Sequence, residues 1–393
     1  MFLQGRIDQD LVYRLTPEIV RIQHTGRDPI TVYIDSPGGG TMYAAQILDL
    51  LRAPSLDSST PCRLITVGTS LAGSAAASLL SAGDYALVYP DTRLHFHGLR
   101  VLSDAPITVE RASDAAKDLR ESNNRAAVTL ARDCNLRFFF RFVTLRPEFG
   151  AYRERTGKRD CGERDCFVGL ISEKLSSWGL AIVSKAEQRT KRYASLWDSV
   201  VRSRNVAKQL ANMANFRGQG EATTSDQIVT AVNKLQAEVL RSIVTFELKA
   251  NKARPGWGFA SAGVSQVQDD FLLLNEYIGH HQNEWIEIFC EQWKDVVLDP
   301  ADKQAIDELP EAERKAALVE KLTPVLLPIW LFLGAVCHVL QEAENPLTSH
   351  DAFWLGLVDE VIGANLPTLR KVVEQGPSSQ KRKASKEAMT RAS

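Results

Sequence analysis

The first hundred residues contain a serine and two histidines whose surroundings are typical of a hydrolytic site. Ser74 lies in the small-residue segment GTSLAGSAAASLL, residues 68–80, directly after an apolar run. A serine at such a strand-to-helix junction would sit at a helix N-terminus, where free N–H groups and the helix dipole favour a developing oxyanion. His95 and His97 are two positions apart and therefore on one face of an extended strand, so either can reach a serine. Because a neutral imidazole is the usual base for a hydroxyl, these residue types predict a serine hydrolase.

Three apolar runs must position these side chains. Residues 30–34, ITVYI, are β-branched and aromatic and predict a buried parallel strand, which the turn SPGG follows. Residues 63–67 predict a second strand before the serine segment, and residues 85–89 a third before the histidines. The paired glycines let backbone N–H groups approach a ligand closely. The SPGG turn, the serine segment at residues 68–80 and the two histidines follow successive predicted strands. This order distinguishes the pattern from a chance serine in an alanine-rich helix.

Several segments resemble the Clp protease proteolytic subunit, a serine peptidase of the ClpP/crotonase fold class. They are FLQGRIDQDL from residue 2, VYIDSPGG from 32, GSAAASLLSAG from 73 and YPDTRLHFH from 89. The resemblance implies an α/β protein with a ClpP/crotonase-like repeated ββα core and, in this chain, a large helical insertion or extension. It also implies Ser74 as the nucleophile, His97 as the base, and an oxyanion hole formed by the backbone N–H groups of Gly39 and Ala75.

The chain departs from that family's pattern at three places near the site. Asp35 stands where an asparagine is usual, and Gly73 replaces an alanine beside the nucleophile. The approach from Gly68 to Ser74 is two residues longer than in the family. None of these changes removes a group that the chemistry needs.

The acid that orients the histidine has two candidate regions, of which the first lies in the middle of the chain. The segment TGKRDCGERDCF, residues 156–167, resembles the family's acidic loop with one inserted residue. It nominates Asp160 as the third member of the triad, with Asp165 as a neighbouring alternative.

The second candidate region lies near the C-terminus. The segment LTSHDAFWLGLVDEVI, residues 347–362, resembles the helix and last strand that close this fold. If the fold closes there, the acid comes from just upstream, at Glu342 or Glu344. A plain Ser/His dyad is the remaining alternative.

These matches divide the chain into four parts. Residues 1–187 are the predicted peptidase core, and residues 188–340 are a helical insertion or extension without a recognisable counterpart. Residues 341–364 are the closing helix and strand, and residues 365–393 are a helix end and a basic tail that we expect to be disordered.

The segment RFFFRFVTLR, residues 137–146, is basic and aromatic. It predicts a buried helix end whose arginines extend to the solvent along their aliphatic stems. A peptide-binding or subunit-binding surface is the alternative interpretation.

Residues 322–341 carry no formal charge over twenty positions, a length that a membrane span requires. Pro324, Pro328 and His338 weigh against a span, and so does the fold-closing match that follows at once. A span would separate residues 347–362 from Ser74 by the bilayer. We therefore favour a buried or subunit-interface helix.

The composition is that of a soluble enzyme. The 393 residues are 44% hydrophobic and carry a formal net charge of −1, which provides no electrostatic reason to expect a nucleic-acid partner. The N-terminus lacks the basic and apolar regions of a signal peptide, which predicts a cytoplasmic protein. The six cysteines form no CxxC pair, so we expect reduced thiols and no metal site.

The resemblance implies a serine endopeptidase of the Clp type that acts on peptides or unfolded proteins inside a homo-oligomeric ring. It requires no cofactor of its own, since ATP would act only through a partner such as an AAA+ unfoldase or an adaptor. One alternative is a catalytically weak or inactive scaffold subunit of a mixed ring, suggested by the altered loop at residues 70–74. A weaker alternative is a crotonase-like acyl-CoA enzyme, whose glycine loop would hold a thioester without a Ser/His pair. The sequence determines neither the substrate nor the ring size.

Overall fold

The computed structural model describes residues 1–26, 28–54, 61–100, 108–216 and 298–368. The predicted helices at 226–244 and after 269, and most of the basic tail, lie outside the described residues. The chain forms two compact units. The first contains the described residues of Met1–Leu102, Thr129–Ala186 and Val336–Ser393, and the second those of Ser103–Val128 and Glu187–Ala335.

A parallel sheet forms the centre of the first unit. Its main strands follow the order β1-β2-β3-β4-β6, and β5 pairs with β3 beyond the end of β4. Because helices connect the early strands, neighbouring strands run in the same direction. The strands are β1 (Phe2–Ile7), β2 (Ile30–Gly39), β3 (Leu64–Gly73), β4 (Tyr85–Val88), β5 (Arg93–His95) and β6 (Glu360–Val361).

The helices fall into two groups. Three short helices alternate with the first strands: α1 (Gln9–Thr25), α2 (Thr41–Leu51) and α3 (Ala75–Ser81). The others follow β5, with a 3-10 turn at Arg146–Glu148: α4 (Val109–Leu145), α5 (Phe149–Thr156), α6 (Glu163–Ser172), α7 (Ser177–Phe216), α8 (Pro300–Asp307), α9 (Glu311–Glu342) and α10 (Ser349–Trp354).

A β-bulge in β3 accommodates the longer approach to Ser74. Ile34 pairs with Gly68, but Ser36 pairs with Ala72, so β3 has two more residues than β2 between these pairs. The Leu71 N–H donates a hydrogen bond of 3.2 Å to Asp35 Oδ1. Two of the departures from the family pattern, Asp35 and the longer approach from Gly68 to Ser74, are thus linked, since the side chain of Asp35 accepts from a backbone group inside the bulge.

The C-terminal segment completes the sheet. Leu94 and Leu347 exchange two backbone hydrogen bonds of 3.1 and 2.7 Å, and β6 pairs with β4 through Val88 and Val361. This pairing favours the late-closing alternative.

Asp351 joins the closing segment to the start of α7. Its carboxylate accepts hydrogen bonds from the Thr348 N–H and hydroxyl at 3.1 and 2.8 Å, which together with the Asp351 N–H form a capping box. It also accepts from the Ser176 N–H and hydroxyl at 2.8 and 2.7 Å. A carboxylate with four donors is well suited to a buried position.

The arginines of the basic aromatic segment do not all reach the solvent, contrary to the prediction. Arg137 is buried, and its Nε donates to Asp359 Oδ2 at 2.7 Å, where the Ala86 N–H also donates at 2.7 Å. Although burial opposes the charge of Arg137, the Asp359 carboxylate raises its pKa above the ordinary value. The ion pair attaches β6 to α4 and to β4.

Arg141 holds the same segment through backbone carbonyls. It is 1% exposed, lies 3.5 Å from the ring centroid of Phe353, and donates to the Val358 and Asp359 carbonyls at 3.0 Å each. Burial lowers the pKa of Arg141 to about 9. Arg137 and Arg141 therefore hold the closing segment against α4.

Among the described residues, α9 is long and apolar enough to cross a membrane, a property that it shares with core helices of soluble proteins. Phe332, Leu333 and Val336 of this helix are buried. A spanning orientation would place Leu347 and Leu94 on opposite sides of a bilayer, whereas their backbones are hydrogen-bonded. That pairing favours a buried helix.

Candidate active site

Ser74 occupies a strained turn between β3 and α3. Its backbone has φ of 52° and ψ of −124°, and no other non-glycine residue in the described part of the chain has a positive φ. The Ser74 N–H donates to the His95 carbonyl at 2.6 Å, which attaches the turn to β5. Strain of this kind costs about 1–3 kcal/mol and is concentrated at functional sites.

Gly38 and Gly73 allow residues 36–39 at the end of β2, the glycine turn of the sequence prediction, to lie close to Ser74. A Cβ atom on Gly38, which has φ of +93°, would lie 2.7 Å from the Ser74 Cβ and even closer to the Gly73 carbonyl oxygen. A Cβ atom on Gly73 would lie 2.7 Å from the Pro37 carbonyl oxygen. The glycine at 73, where the family has alanine, is therefore a packing requirement of this turn. Gly38 is a site residue that the sequence prediction missed.

The backbone groups of the predicted oxyanion hole lie in this region. Ala75 is the first residue of α3, so its N–H has no partner within the helix. A Cβ on Gly38 would be 3.1 Å from the Ala75 nitrogen, which places the glycine turn beside this N–H. The Gly38 N–H already donates to the Ser36 hydroxyl at 3.0 Å, and Gly39 packs against the Ile7 backbone. Ala75 and Gly39 remain the predicted donors.

The two histidines lie side by side, with ring centroids 5.4 Å apart, and the His95 carbonyl accepts from the Ser74 N–H. The Nδ1 of His97 is 2.7 Å from the Gly98 carbonyl, and the Nε2 of His95 is 3.0 Å from the Glu344 carbonyl. Since a carbonyl only accepts, a neutral His97 carries its proton on Nδ1 and leaves Nε2 as the basic nitrogen. No hydrogen bond between the described atoms joins the Ser74 hydroxyl to either ring, and such bonds often form only when substrate binds.

Asp160 is not brought to His97. It is exposed in the turn between α5 and α6, and in the described structure no hydrogen bond or ion pair joins the two side chains. Asp165 lies in α6, where its carboxylate pairs with Arg164 at 2.7 Å. Nothing in the arrangement of these two carboxylates supports a role in orienting the imidazole.

Glu344 is the acid candidate that is attached to the histidine pair. Its carbonyl contacts His95, while its carboxylate forms a 2.8 Å ion pair with Arg100 on the surface. Glu342, the other upstream candidate, lies 3.9 Å from His338. Glu344 therefore lies in a segment whose backbone contacts the histidine pair, whereas Asp160 belongs to the turn between α5 and α6.

Replacing Gly38 by alanine is expected to displace the glycine turn from Ser74. Because a 1 Å displacement of catalytic groups can cost up to about 100-fold, we expect serine-directed labelling to slow by about 10- to 100-fold. Labelling with a fluorophosphonate measures this rate. Gly5→Ala is the matched control, because Gly5 also has a positive φ of +81° but has no atom within 4 Å of its Cβ position. Equal rates for both variants would contradict the steric argument.

A cavity of about 760 Å³ lies at the opposite ends of the strands from Ser74. It is lined by residues that begin β3 and β4, including Leu64 and Tyr85, and by Asp133 and Arg137 of α4. Burial raises the pKa of Asp133 to about 6, although Arg137 acts in the opposite direction. The cavity shares no residue with the serine site.

Asp133→Asn is expected to stabilise the protein at neutral pH. With a pKa of 3.8 when unfolded and about 6 when folded, Asp133 lowers stability progressively as pH rises between these values, and fully above them. We expect a gain of about 1–3 kcal/mol at pH 7 and less at pH 4.5, measured by urea unfolding. Asp49→Asn, at an exposed position of α2, is the control. A gain that is the same at both pH values would disprove this origin.

Comparison with known proteins supports the interpretation of the N-terminal part. The Clp protease family model matches residues 1–133. A putative ATP-dependent Clp protease proteolytic subunit-like protein of Streptomyces coelicolor is 30% identical over 120 residues, which cover 30% of this chain and 52% of that protein. The ATP-dependent Clp protease proteolytic subunit 2 of Thermobifida fusca is 30% identical over 127 residues, which cover 28% of this chain and 59% of that protein.

The chain spans about half the length of these curated relatives. Its parallel strands, connecting helices and family match nevertheless agree, so the predicted mixed α/β class is confirmed. The N-terminal third of the chain is similar to Clp protease proteolytic subunits, whose domain belongs to the ClpP/crotonase-like fold.

Proposed function

We propose that this protein is a serine endopeptidase of the Clp type. The observation that carries the proposal is the position of Ser74, at a positive φ directly before α3 and hydrogen-bonded through its backbone to the histidine strand. Ser74 is half-buried and lies beside the glycine turn. The similarity to Clp protease subunits supports the same reaction class.

In the proposed reaction, His97 Nε2 removes the proton from the Ser74 hydroxyl as the oxygen attacks the peptide carbonyl. The N–H groups of Ala75 and Gly39 stabilise the oxyanion of the tetrahedral intermediate. His97 then protonates the leaving amine, and an acyl-enzyme remains on Ser74. Water, deprotonated by His97, hydrolyses this ester and restores the serine.

Glu344 is the acid that we assign to His97, in place of Asp160. The assignment requires the carboxylate to leave Arg100 and accept from His97 Nδ1, which now faces the Gly98 carbonyl. The Glu344 backbone stays on His95 during this change. The acid would then hold the imidazole in the tautomer that catalysis needs.

Glu344→Gln is expected to lower kcat/KM for peptide hydrolysis by about 10- to 100-fold, because the amide is a poorer partner for the imidazolium. Asp160→Asn is the matched control at an exposed position and should change kcat/KM less than about twofold. Peptidase assays of both variants decide between the two acids. The opposite ranking would restore Asp160, and no loss in either would favour a Ser/His dyad.

The remaining features of the Clp type belong to the same proposal. We expect a homo-oligomeric ring in the cytoplasm, peptides or unfolded proteins as substrates, no resident cofactor, and cooperation with an AAA+ unfoldase or adaptor. Sedimentation velocity of the full chain tests the assembly. A strictly monomeric species would contradict the ring.

Labelling of the purified protein with a fluorophosphonate, followed by mass spectrometry, tests the proposed nucleophile. We expect one adduct on the peptide that contains Ser74, formed by the native protein and absent after heat denaturation. An adduct on another serine would assign the chemistry elsewhere. A folded, assembled protein without any adduct would contradict the peptidase proposal.

The second candidate is a scaffold subunit of a mixed ring, and one observation favours it. Among the described atoms, neither a serine–imidazole hydrogen bond nor a carboxylate on His97 is formed. A scaffold subunit would assemble normally and remain unlabelled. Sedimentation and labelling of the same sample therefore distinguish the two functions.

A further inference from the structure

Two cysteine thiols face each other at the start of α6. Cys161 is half-buried in the turn after α5, and Cys166 is buried on the first turns of α6. The Cys166 thiol contacts the Cys161 carbonyl oxygen at 3.7 Å and lies within hydrogen-bonding reach of the Cys161 thiol. The pair is separate from Ser74 and its histidines.

A guanidinium group lies against both cysteines. Arg153 Nε donates to the Cys161 carbonyl at 2.8 Å, and the guanidinium also contacts the Cys166 thiol. A nearby cation stabilises a thiolate, which is the form that attacks oxidants and disulfides. Burial and the Cys161 thiol raise the pKa of Cys166, so Cys166 stays protonated at rest and the more exposed Cys161 meets the reagent first.

The other described cysteines differ in exposure, although Cys134 also has a guanidinium, that of Arg137, as a neighbour. Cys62, Cys134 and Cys337 are buried. Burial raises the pKa of Cys134 to about 12 and that of Cys337 well above its ordinary value. Thiols of this kind are unreactive, since the thiolate is the reactive form.

We propose that Cys161 and Cys166 form a reversible disulfide when the protein meets a peroxide. The Cys161 thiolate attacks one peroxide oxygen, the O–O bond breaks, and a sulfenic acid and a hydroxide form. The Cys166 sulfur then attacks the Cys161 sulfur, and water leaves with the Cys166 proton. In sum, two thiols and one molecule of hydrogen peroxide become one disulfide and two waters.

The surrounding structure determines which part moves when the bond forms. Phe167, the neighbour of Cys166, packs edge-on against Phe138 and Phe142 at centroid distances of 5.2 and 5.4 Å. This packing holds Cys166, so the exposed turn must bring Cys161 to it. The bond therefore locks the α5–α6 turn without disturbing the core.

Treatment of the full-length protein with hydrogen peroxide, followed by peptide mapping, tests the proposal. We expect the peptides that contain Cys161 and Cys166 to lose two hydrogens, to become resistant to alkylation, and to recover with dithiothreitol. Cys161→Ser and Cys166→Ser should each abolish this change, with folding verified by circular dichroism. Formation of sulfinic or sulfonic acid without the disulfide, or of intermolecular disulfides, would overturn the proposal.

Variants of two neighbouring arginines test the role assigned to the guanidinium. Arg153→Gln is expected to slow disulfide formation by about 3- to 10-fold, because the guanidinium no longer holds the Cys161 carbonyl and the Cys166 thiol together. Arg155→Gln is the control, since Arg155 lies on the same helix but pairs with Glu173 at 2.9 Å. Equal rates for the two variants would show that Arg153 does not activate the pair.

Discussion

Replacing Ser74 by alanine is expected to abolish peptide hydrolysis and leave the fold intact. Loss of the nucleophile in a serine peptidase lowers kcat by about 10³- to 10⁶-fold, because only binding and the oxyanion hole remain. The alanine keeps the same backbone strain at φ of 52° and removes only the hydroxyl. The measurement is kcat/KM on a fluorogenic peptide, together with loss of the fluorophosphonate adduct.

Ser78→Ala is the matched control for this experiment, because Ser78 lies one turn further along α3. It should retain both hydrolysis and labelling. Persistence of hydrolysis in Ser74→Ala would assign the activity to another residue or to a contaminant. A third variant, Ser74→Gly, should be equally inactive but more stable by about 1 kcal/mol, because glycine relieves the positive φ.

Removing Arg137 is expected to destabilise the closing segment more than any surface change. In Arg137→Met, the Asp359 carboxylate would remain buried without its cation, while the Ala86 N–H still donates to it. Breaking a buried ion pair on one side costs about 3–5 kcal/mol. Hydrogen exchange of peptides covering residues 347–361 measures this loss locally, where a global unfolding transition would mix the two units.

An exposed ion pair provides the control for the buried one. Arg155→Met breaks the ion pair between Arg155 and Glu173, whose side chains are 57% and 42% exposed. It should lower the free energy of unfolding by at most about 1 kcal/mol. Combining Arg137→Met with Asp359→Leu should recover part of the lost stability, because the unpaired carboxylate disappears. Unchanged exchange in Arg137→Met would show that the other contacts of the segment are sufficient to hold it.

The elements of the N-terminal part were predictable because their signals are local. β-branched runs indicate strands, paired glycines indicate a tight turn, and small residues around Ser74 indicate a closely packed helix. The strands β2, β3 and β4 begin within one residue of the predicted positions. However, β2 and β3 extend five and six residues beyond their predicted ends, so residues 36–39, predicted as a turn, belong to β2. Ser74, His97, Gly39 and Ala75 remain predictions as functional residues.

Other features depend on contacts between distant residues. The ion pair of Arg137 and Asp359 joins positions 222 apart, and no local pattern marks either member. The prediction that the arginines of residues 137–146 extend to the solvent was wrong for Arg137 and Arg141. It considered one helix and not the C-terminal closing segment that covers these side chains. Gly38 was missed for the same reason, since its role depends on the close approach of a second turn at Gly73.

By itself, the sequence determined the α/β class, the order of the glycine, serine and histidine turns, and the candidates for nucleophile and base. Only the tertiary structure decided that the sheet is completed by β6, that the Glu344 carbonyl contacts His95, and that a bulge absorbs the longer approach to Ser74. The physical reason is the separation along the chain of the residues that interact. Propensity and periodicity act between neighbours in the chain, whereas strand pairing, ion pairing and close packing depend on which distant segments meet.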